Sequence, residues 1–198
     1  MSVADKLTTI AENQEKVYEA GAAVAQKKPF VDTSKGMTNH EYLFAGGRLL
    51  DQIDRFDFSN LTNAAYMFQN SQKLVTLPAI DTSKATRMLY YCYNCQYLVT
   101  IEGVDFSSCT VTGAANNAFH NCVRLETVVI NGTIPCDLSF GSCRVLSKKT
   151  IEDVVRALSA SVTGKTITFN QSAVNAAFTT DQWNTLVASK PNWRFDLA

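Results

Sequence analysis

Along most of this chain the apolar positions neither alternate strictly nor follow one helical stripe; they recur in blocks. Leu74 and Leu77 are matched 24 residues later by Leu98 and Ile101, and the same distance relates Asp57 to Asp81, Ser59 to Ser83, Tyr66 to Tyr90 and Asn70 to Asn94. A third copy starts in register at Asp105 and Ser107, takes a three-residue insertion, and continues through Phe119, Asn121, Cys122, Leu125 and Val128. A fourth, worn copy holds Phe140, Cys143 and Leu146. A period of roughly 20–30 residues with one Leu-x-x-Leu-type strand signal per unit marks repeats that close a core only by stacking on their neighbours. The pattern therefore predicts an α/β fold built as a leucine-rich-repeat solenoid of about four units over 57–146, with short strands around 74–77, 98–101 and 125–130.

The flanks follow other periods. Over 2–26, Val3, Leu7, Ile10, Val17 and Val24 keep alternating four-and-three spacing, with Gln14 and Gly21 in the remaining seam places and Ser2 and Asp5 at a helix start. Two readings stay open for this helix, an amphipathic cap on the first repeat or a short coiled coil that makes the protein a homo-oligomer through Val3, Leu7, Ile10, Gln14, Val17 and Val24. Pro29 closes this segment, 1–28. Residues 29–56 read as linker and N-terminal cap with a short strand near Leu49 to Ile53.

After Leu146 the period stops, and 147–198 reads as a C-terminal cap of helices and strands. Ser147 can cap a helix with Ile151, Val154, Val155 and Leu158 on one stripe. Thr166 to Phe169 alternates as a strand, Asn170 starts a helix running to Phe178, Thr180 or Asp181 starts another bearing Trp183, and Trp193 to Leu197 reads as an edge strand.

Charge removes two classes of partner. Net charge is zero and the Lys and Arg are scattered, which argues against nucleic acid and acidic membrane surfaces. No apolar run is long enough to insert in a membrane, and the first residues are polar rather than an export signal, so the protein is expected to be made and kept in the cytosol, or to leave by a route that needs no signal peptide.

The repeat columns also decide the candidate chemistry. Cys92 and Cys95 have metal-ligand spacing, but Cys92 shares a column with Phe68, Phe119 and Phe140, and Cys95 with Ser71, Cys122 and Cys143. A column filled by Phe elsewhere is a core column, so a structural thiol ladder is expected and no metal site; Cys109 and Cys136 lie outside it without a visible partner. The Asn70, Asn94 and Asn121 column reads as buried amides bonding the turns above and below. Asp57, Asp81 and Asp105 recur with the period, which points to turn chemistry rather than a calcium ladder, since each repeat offers one carboxylate there. With two histidines, His40 and His120, and no phosphate-cradling spacing around Gly46 and Gly47, no catalytic constellation, and hence no cofactor or enzymatic activity, is expected.

What stands out against the columns is aromatic. Tyr93 aligns with Gln69 and His120, and Tyr97 with Lys73 and Arg124, positions that are polar in the other copies. Four residues apart, they would share a face if the segment were helical, and Tyr90 and Tyr91 thicken the patch; the alternative is isolated surface tyrosines. Tyr93, Tyr97, Tyr91 and Tyr90 are thus the candidate ligand-binding residues.

Over roughly 56–146, where Asp81 to Met88 runs into Tyr91 to Leu98, the chain resembles the BspA-like leucine-rich-repeat family of bacterial surface proteins. Its ends, Ser2 to Asn13 with Lys16 to Gly21 and the close Lys190 to Trp193, look like those of small repeat proteins encoded by phages and prophages of gut bacteria. The resemblance implies a non-catalytic protein- or glycan-binding module, virion- or tail-associated, recognising a host-surface protein or glycan. The alternatives are an intracellular protein that binds and blocks a host factor and a BspA-like surface adhesin. The insertion in the third repeat, the worn fourth and the lack of a wall-anchoring signal depart from the family pattern.

Overall fold

The computed structural model describes residues 36–47 and 50–198. Over 38–47 and 50–143 the chain is laid down as turns, one upon another, with the amides of one turn donating to the carbonyls of the next. Phe44 N–H donates to Met67 O at 2.9 Å, Phe68 N–H to Tyr91 O at 2.8 Å and Cys92 N–H to Ala118 O at 2.8 Å. The offset between partners grows from 23 residues in the first two of these bonds to 26 in the third, where the insertion falls. Each turn leaves a short strand on one side of the stack. β1 (Thr76–Leu77), β2 (Thr100–Val104) and β3 (Thr127–Ile130) pair in parallel, with Thr76, Thr100 and Thr127 in one register row and Leu77, Ile101 and Val128 in the next. The second row is buried and the threonines are not, the alternation a one-sided strand requires.

The fourth unit departs from this plan. Leu138–Phe140 forms β4, which pairs not with β3 but with β5 (Lys165–Phe169), and β5 pairs with β6 (Trp193–Leu197). Where a fourth strand would lie beside β3, the chain instead enters α1 (Lys148–Ala157). Its first turn takes over the edge of β3: Ser147 N–H donates to Glu126 O at 3.0 Å, Thr150 Oγ1 donates to the same carbonyl at 3.0 Å, and Val128 N–H donates to Thr150 Oγ1 at 3.3 Å. Ser147 Oγ caps the helix by accepting from Thr150 N–H, so helix start and strand edge are closed by one cluster. The expected leucine-rich-repeat solenoid of about four units is therefore corrected. The described residues form an α/β fold of three helices and two separate parallel sheets of three strands each.

The remaining elements follow their local signals. α2 (Gln171–Ala177) is capped by Asn170, whose side-chain Oδ1 accepts from Ser172 N–H and Ala173 N–H. α3 (Thr180–Ala188) starts with a reciprocal capping box between Thr179 and Gln182. β4 lies on the N-terminal side of residue 147 yet belongs to the C-terminal sheet. Of the strand expected near Leu49 to Ile53, the part from Leu50 is instead a 3₁₀ helix, Leu50–Arg55, since Leu-Asp-Gln-Ile-Asp-Arg does not alternate, and Leu49 lies outside the described residues. The expected helix over 2–26, with its seam Val3, Leu7, Ile10, Gln14, Val17 and Val24, lies outside the described residues. Among the described residues no helix is long and apolar enough to cross a membrane.

A phenylalanine column runs through the core. Phe44 stacks on Phe68 with ring centres 5.3 Å apart, Phe119 on Phe140 at 5.0 Å and Phe140 on Phe169 at 5.9 Å. The column is broken at Cys92, which is smaller, and Tyr91 fills the space with its ring edge-on to Phe68 at 5.3 Å. Tyr91 is fully buried, and its hydroxyl finds no partner among the described residues. A buried polar atom without a partner keeps its full desolvation penalty. Tyr91→Phe is accordingly expected to stabilise the fold by about 1 kcal/mol, read as a higher urea midpoint at unchanged slope. A midpoint that stayed put or fell would show that the hydroxyl is satisfied.

Candidate recognition surface

The stacked turns force two columns of residues into the left-handed backbone region. In the first, Gly46 has φ 77°, Asn70 59°, Asn94 60° and Asn121 60°. Glycine and asparagine are the residue types that tolerate this conformation. The asparagines are not buried and do not bond the backbone of adjacent turns as the sequence had suggested; they bond one another. Asn94 Nδ2 donates to Asn70 Oδ1 at 2.8 Å and Asn121 Nδ2 to Asn94 Oδ1 at 2.6 Å. Their place is set by backbone geometry first and by this side-chain ladder second.

The second column does the opposite. Tyr42 (φ 63°), Tyr66 (59°) and Tyr90 (54°) occupy left-handed positions, and only in the next turn does the favoured type appear, Asn117 at 55°. For a bulky side chain such a conformation costs roughly 1–2 kcal/mol, and outliers of this kind persist where surrounding structure holds them. Here the rings hold each other. Tyr42 and Tyr66 stack with centres 4.6 Å apart and planes 9° from parallel, and Tyr66 and Tyr90 at 5.0 Å and 11°. Tyr93 continues the line, edge-on to Tyr90 at 5.1 Å, and stacks on His120 at 5.3 Å. The four tyrosines are half-buried and His120 is exposed, so five rings form one row along the surface. Stacking covers much of the ring faces, and a partner meets mainly edges and phenol tips. The Tyr42 phenol is pushed up to about 12 by burial, then by Tyr66 and Glu41, so it is a protonated donor at neutral pH.

The tyrosines singled out in the sequence are distributed differently from the expected patch. Tyr90 and Tyr93 belong to the row. Tyr91 does not, because its ring is in the core. The segment is a series of turns rather than a helix, so the four-residue spacing of Tyr93 and Tyr97 does not set them on a helix face. Tyr97 is half exposed and carries the Arg124 guanidinium 5.5 Å from its ring centre. Tyr42 and Tyr66 were missed as surface residues, although the 24-residue spacing of Tyr42, Tyr66 and Tyr90 is in the sequence.

The other candidate chemistry resolves into structure. Ser59 N–H, Ser83 N–H and Ser107 N–H donate to Oδ1 of Asp57, Asp81 and Asp105 at 2.9, 3.1 and 2.7 Å, the turn bonds that a periodic aspartate implies. The two bonds from Ser83, through its hydroxyl and its N–H, hold the Asp81 carboxyl below the usual carboxylate range. Ser71 Oγ donates to Phe44 O, Cys95 Sγ to Phe68 O and Cys122 Sγ to Cys92 O at 2.9, 3.0 and 3.0 Å, each reaching back one turn. All six cysteines are free and buried. Burial pushes the Cys92, Cys122 and Cys143 thiols well up, so they remain neutral core groups. Cys109 and Cys136, unpartnered in the sequence, are neighbours whose mutual hydrogen bond, together with burial, raises the Cys109 thiol. Among the described residues no group of three or more His, Cys, Asp or Glu is placed to hold a metal ion. His40 is buried against Phe58 at 5.4 Å, far in character from exposed His120. No family model, curated protein or solved structure matches the chain.

Proposed function

We propose that this chain is a non-catalytic recognition module whose contact surface is the aromatic row Tyr42, Tyr66, Tyr90, Tyr93 and His120. One observation carries the reading: three tyrosines stand at backbone positions that favour glycine or asparagine, and the turn that follows has the asparagine. Stability alone would be served as well by asparagine throughout, so the rings have another use. Tyrosine presents rigid contact area with a hydrogen-bonding tip at low entropic cost, which suits recognition of a protein or glycan. The resemblance of the chain's ends to small phage-encoded proteins supports a setting in a virion, facing the surface of a host bacterium. Self-association through residues 1–28 would add avidity without any new contact.

The test replaces rings by the residue that the backbone favours. In Tyr66→Asn with Tyr90→Asn, lost stacking of about 0.5–1.5 kcal/mol per pair is set against relief of about 1–2 kcal/mol per left-handed position, so thermal stability should change little. Binding of fluorescently labelled protein to a panel of gut-bacterial cells should fall about tenfold or more, the equivalent of about 1.4 kcal/mol. Cell binding at the wild-type level in this variant would remove the row as the contact surface.

A further inference from the structure

The row of tyrosines ends at a cleft. The turn after Tyr90 carries Asn117 in the same left-handed column, and Tyr90 N–H donates to Asn116 O at 2.9 Å. Asn116 and Asn117 are on the wall of a cleft of about 440 Å³, a volume in the small-molecule range. The loop of the three-residue insertion, with Thr112 and Gly113, forms the same wall; the facing wall is the outer side of β4 and β5, through Ser139, Thr166 and Thr168. The insertion belongs to this turn alone among the repeats at 57, 81 and 105.

The lining specifies a class of ligand. The side chains of Thr112, Asn116, Asn117, Thr166 and Thr168 make no hydrogen bonds with the described protein, and they offer hydroxyls and amides that both donate and accept. The one carboxylate, Asp137, is already engaged: Thr166 N–H donates to its Oδ1 at 2.7 Å and Lys165 Nζ lies 3.9 Å from its Oδ2. No cation is among the residues that line the cleft, and the Lys165 ammonium beside it is paired with Asp137, so an anionic ligand would meet a carboxylate and no free counter-charge. An apolar ligand would strip water from five uncompensated polar side chains. We propose that this cleft binds a neutral oligosaccharide, whose hydroxyls are matched by neutral amides and hydroxyls, with the chain continuing from the cleft along the tyrosine row. The proposal rests on the recognition reading and names its ligand class and the place of closest contact.

The probes are maltotriose, cellotriose and chitotriose, with sialyllactose as the anionic comparison, followed by saturation-transfer NMR on the full chain. The variant is Asn117→Gly with Thr166→Val and Thr168→Val, which keeps the left-handed backbone and the β-branched shapes while removing the polar groups. At least one neutral trisaccharide should show transfer at concentrations of about 10 mM or below, sialyllactose none, and the variant should weaken the contact about tenfold with an unchanged circular dichroism spectrum. No transfer from any of the three, transfer unaltered in the variant, or preference for sialyllactose would overturn it. Cell binding separates the two ideas. Binding that survives in the cleft variant but is lost in Tyr66→Asn with Tyr90→Asn defeats the cleft alone; binding that survives in both defeats the recognition surface itself.

Discussion

Phe119→Ala should lower stability by about 3–5 kcal/mol, with a fall in Tm on the order of 10 °C. Phe119 is fully buried, stacks on Phe140 at 5.0 Å and meets Phe106 edge-on at 6.0 Å. Its position makes the loss larger than its size alone would. Phe140 belongs to β4, so the Phe119 ring is where the stacked turns bearing β1 to β3 press against the second sheet. The neighbours cannot close the gap freely. Phe140 is held in the β4 to β5 register and continues into Phe169, while the Phe119 carbonyl accepts the Cys143 thiol at 3.8 Å. A cavity that cannot collapse keeps both the transfer and the void penalty. Urea unfolding checks this, and a loss under about 1 kcal/mol would show that the two sheets are not coupled through this ring.

Thr150→Val should cost about 2–3 kcal/mol, although it exchanges side chains of nearly the same shape. The Thr150 hydroxyl is buried and bonded in three directions, accepting from Val128 N–H and the Ser147 hydroxyl and donating to Glu126 O. Valine would leave the Val128 amide facing carbon at the edge of β3, and Ser147 would lose part of its capping geometry. Thr150→Ser separates the polar role from the packing role. It keeps the hydroxyl and gives up one methyl, so most of the stability should return, and amide exchange at Val128 should be fast in the valine variant only. Equal losses in both would assign the site to packing.

Much of the local structure was legible because short-range chemistry decides it. Ser147 and Asn170, read as helix starts, cap their helices through side chains two or three residues from the bonded amides; the third helix, read as starting at Thr180 or Asp181, starts at Thr180 on a Thr179 cap that the sequence reading did not single out. The aspartates at 57, 81 and 105 close turns over two residues. Such bonds depend on neighbours in the chain, and the sequence states neighbours directly. The fourth unit was less legible. Phe140, Cys143 and Leu146 keep the repeat's spacing, but the residues after Leu146 have a helix stripe and a cap, and that local preference displaces the strand which repetition would have put beside β3.

The candidate site divides the same way. Tyr93 was singled out because it breaks a column, and Tyr90 and Tyr91 only as its neighbours; of these two Tyr90 lies in the row, whereas Tyr91 is buried. Its burial follows from Cys92 leaving room next to Phe68, a volume argument across turns that no single column contains. Tyr42 and Tyr66 carry the period, and regularity made them look structural.

By itself, then, the sequence determined the period, the turn chemistry of the aspartates and where the three helices begin, because each rests on spacing or on contacts within a few residues. The tertiary structure decided the rest. It alone closed the edge of β3 with α1, sent β4 to a second sheet, set Tyr42, Tyr66 and Tyr90 in one stacked row, and opened a cleft between an inserted loop and two strands. These are relations between residues a full turn or more apart in the chain, and they depend on which surfaces meet and how much volume each side chain leaves to its neighbours.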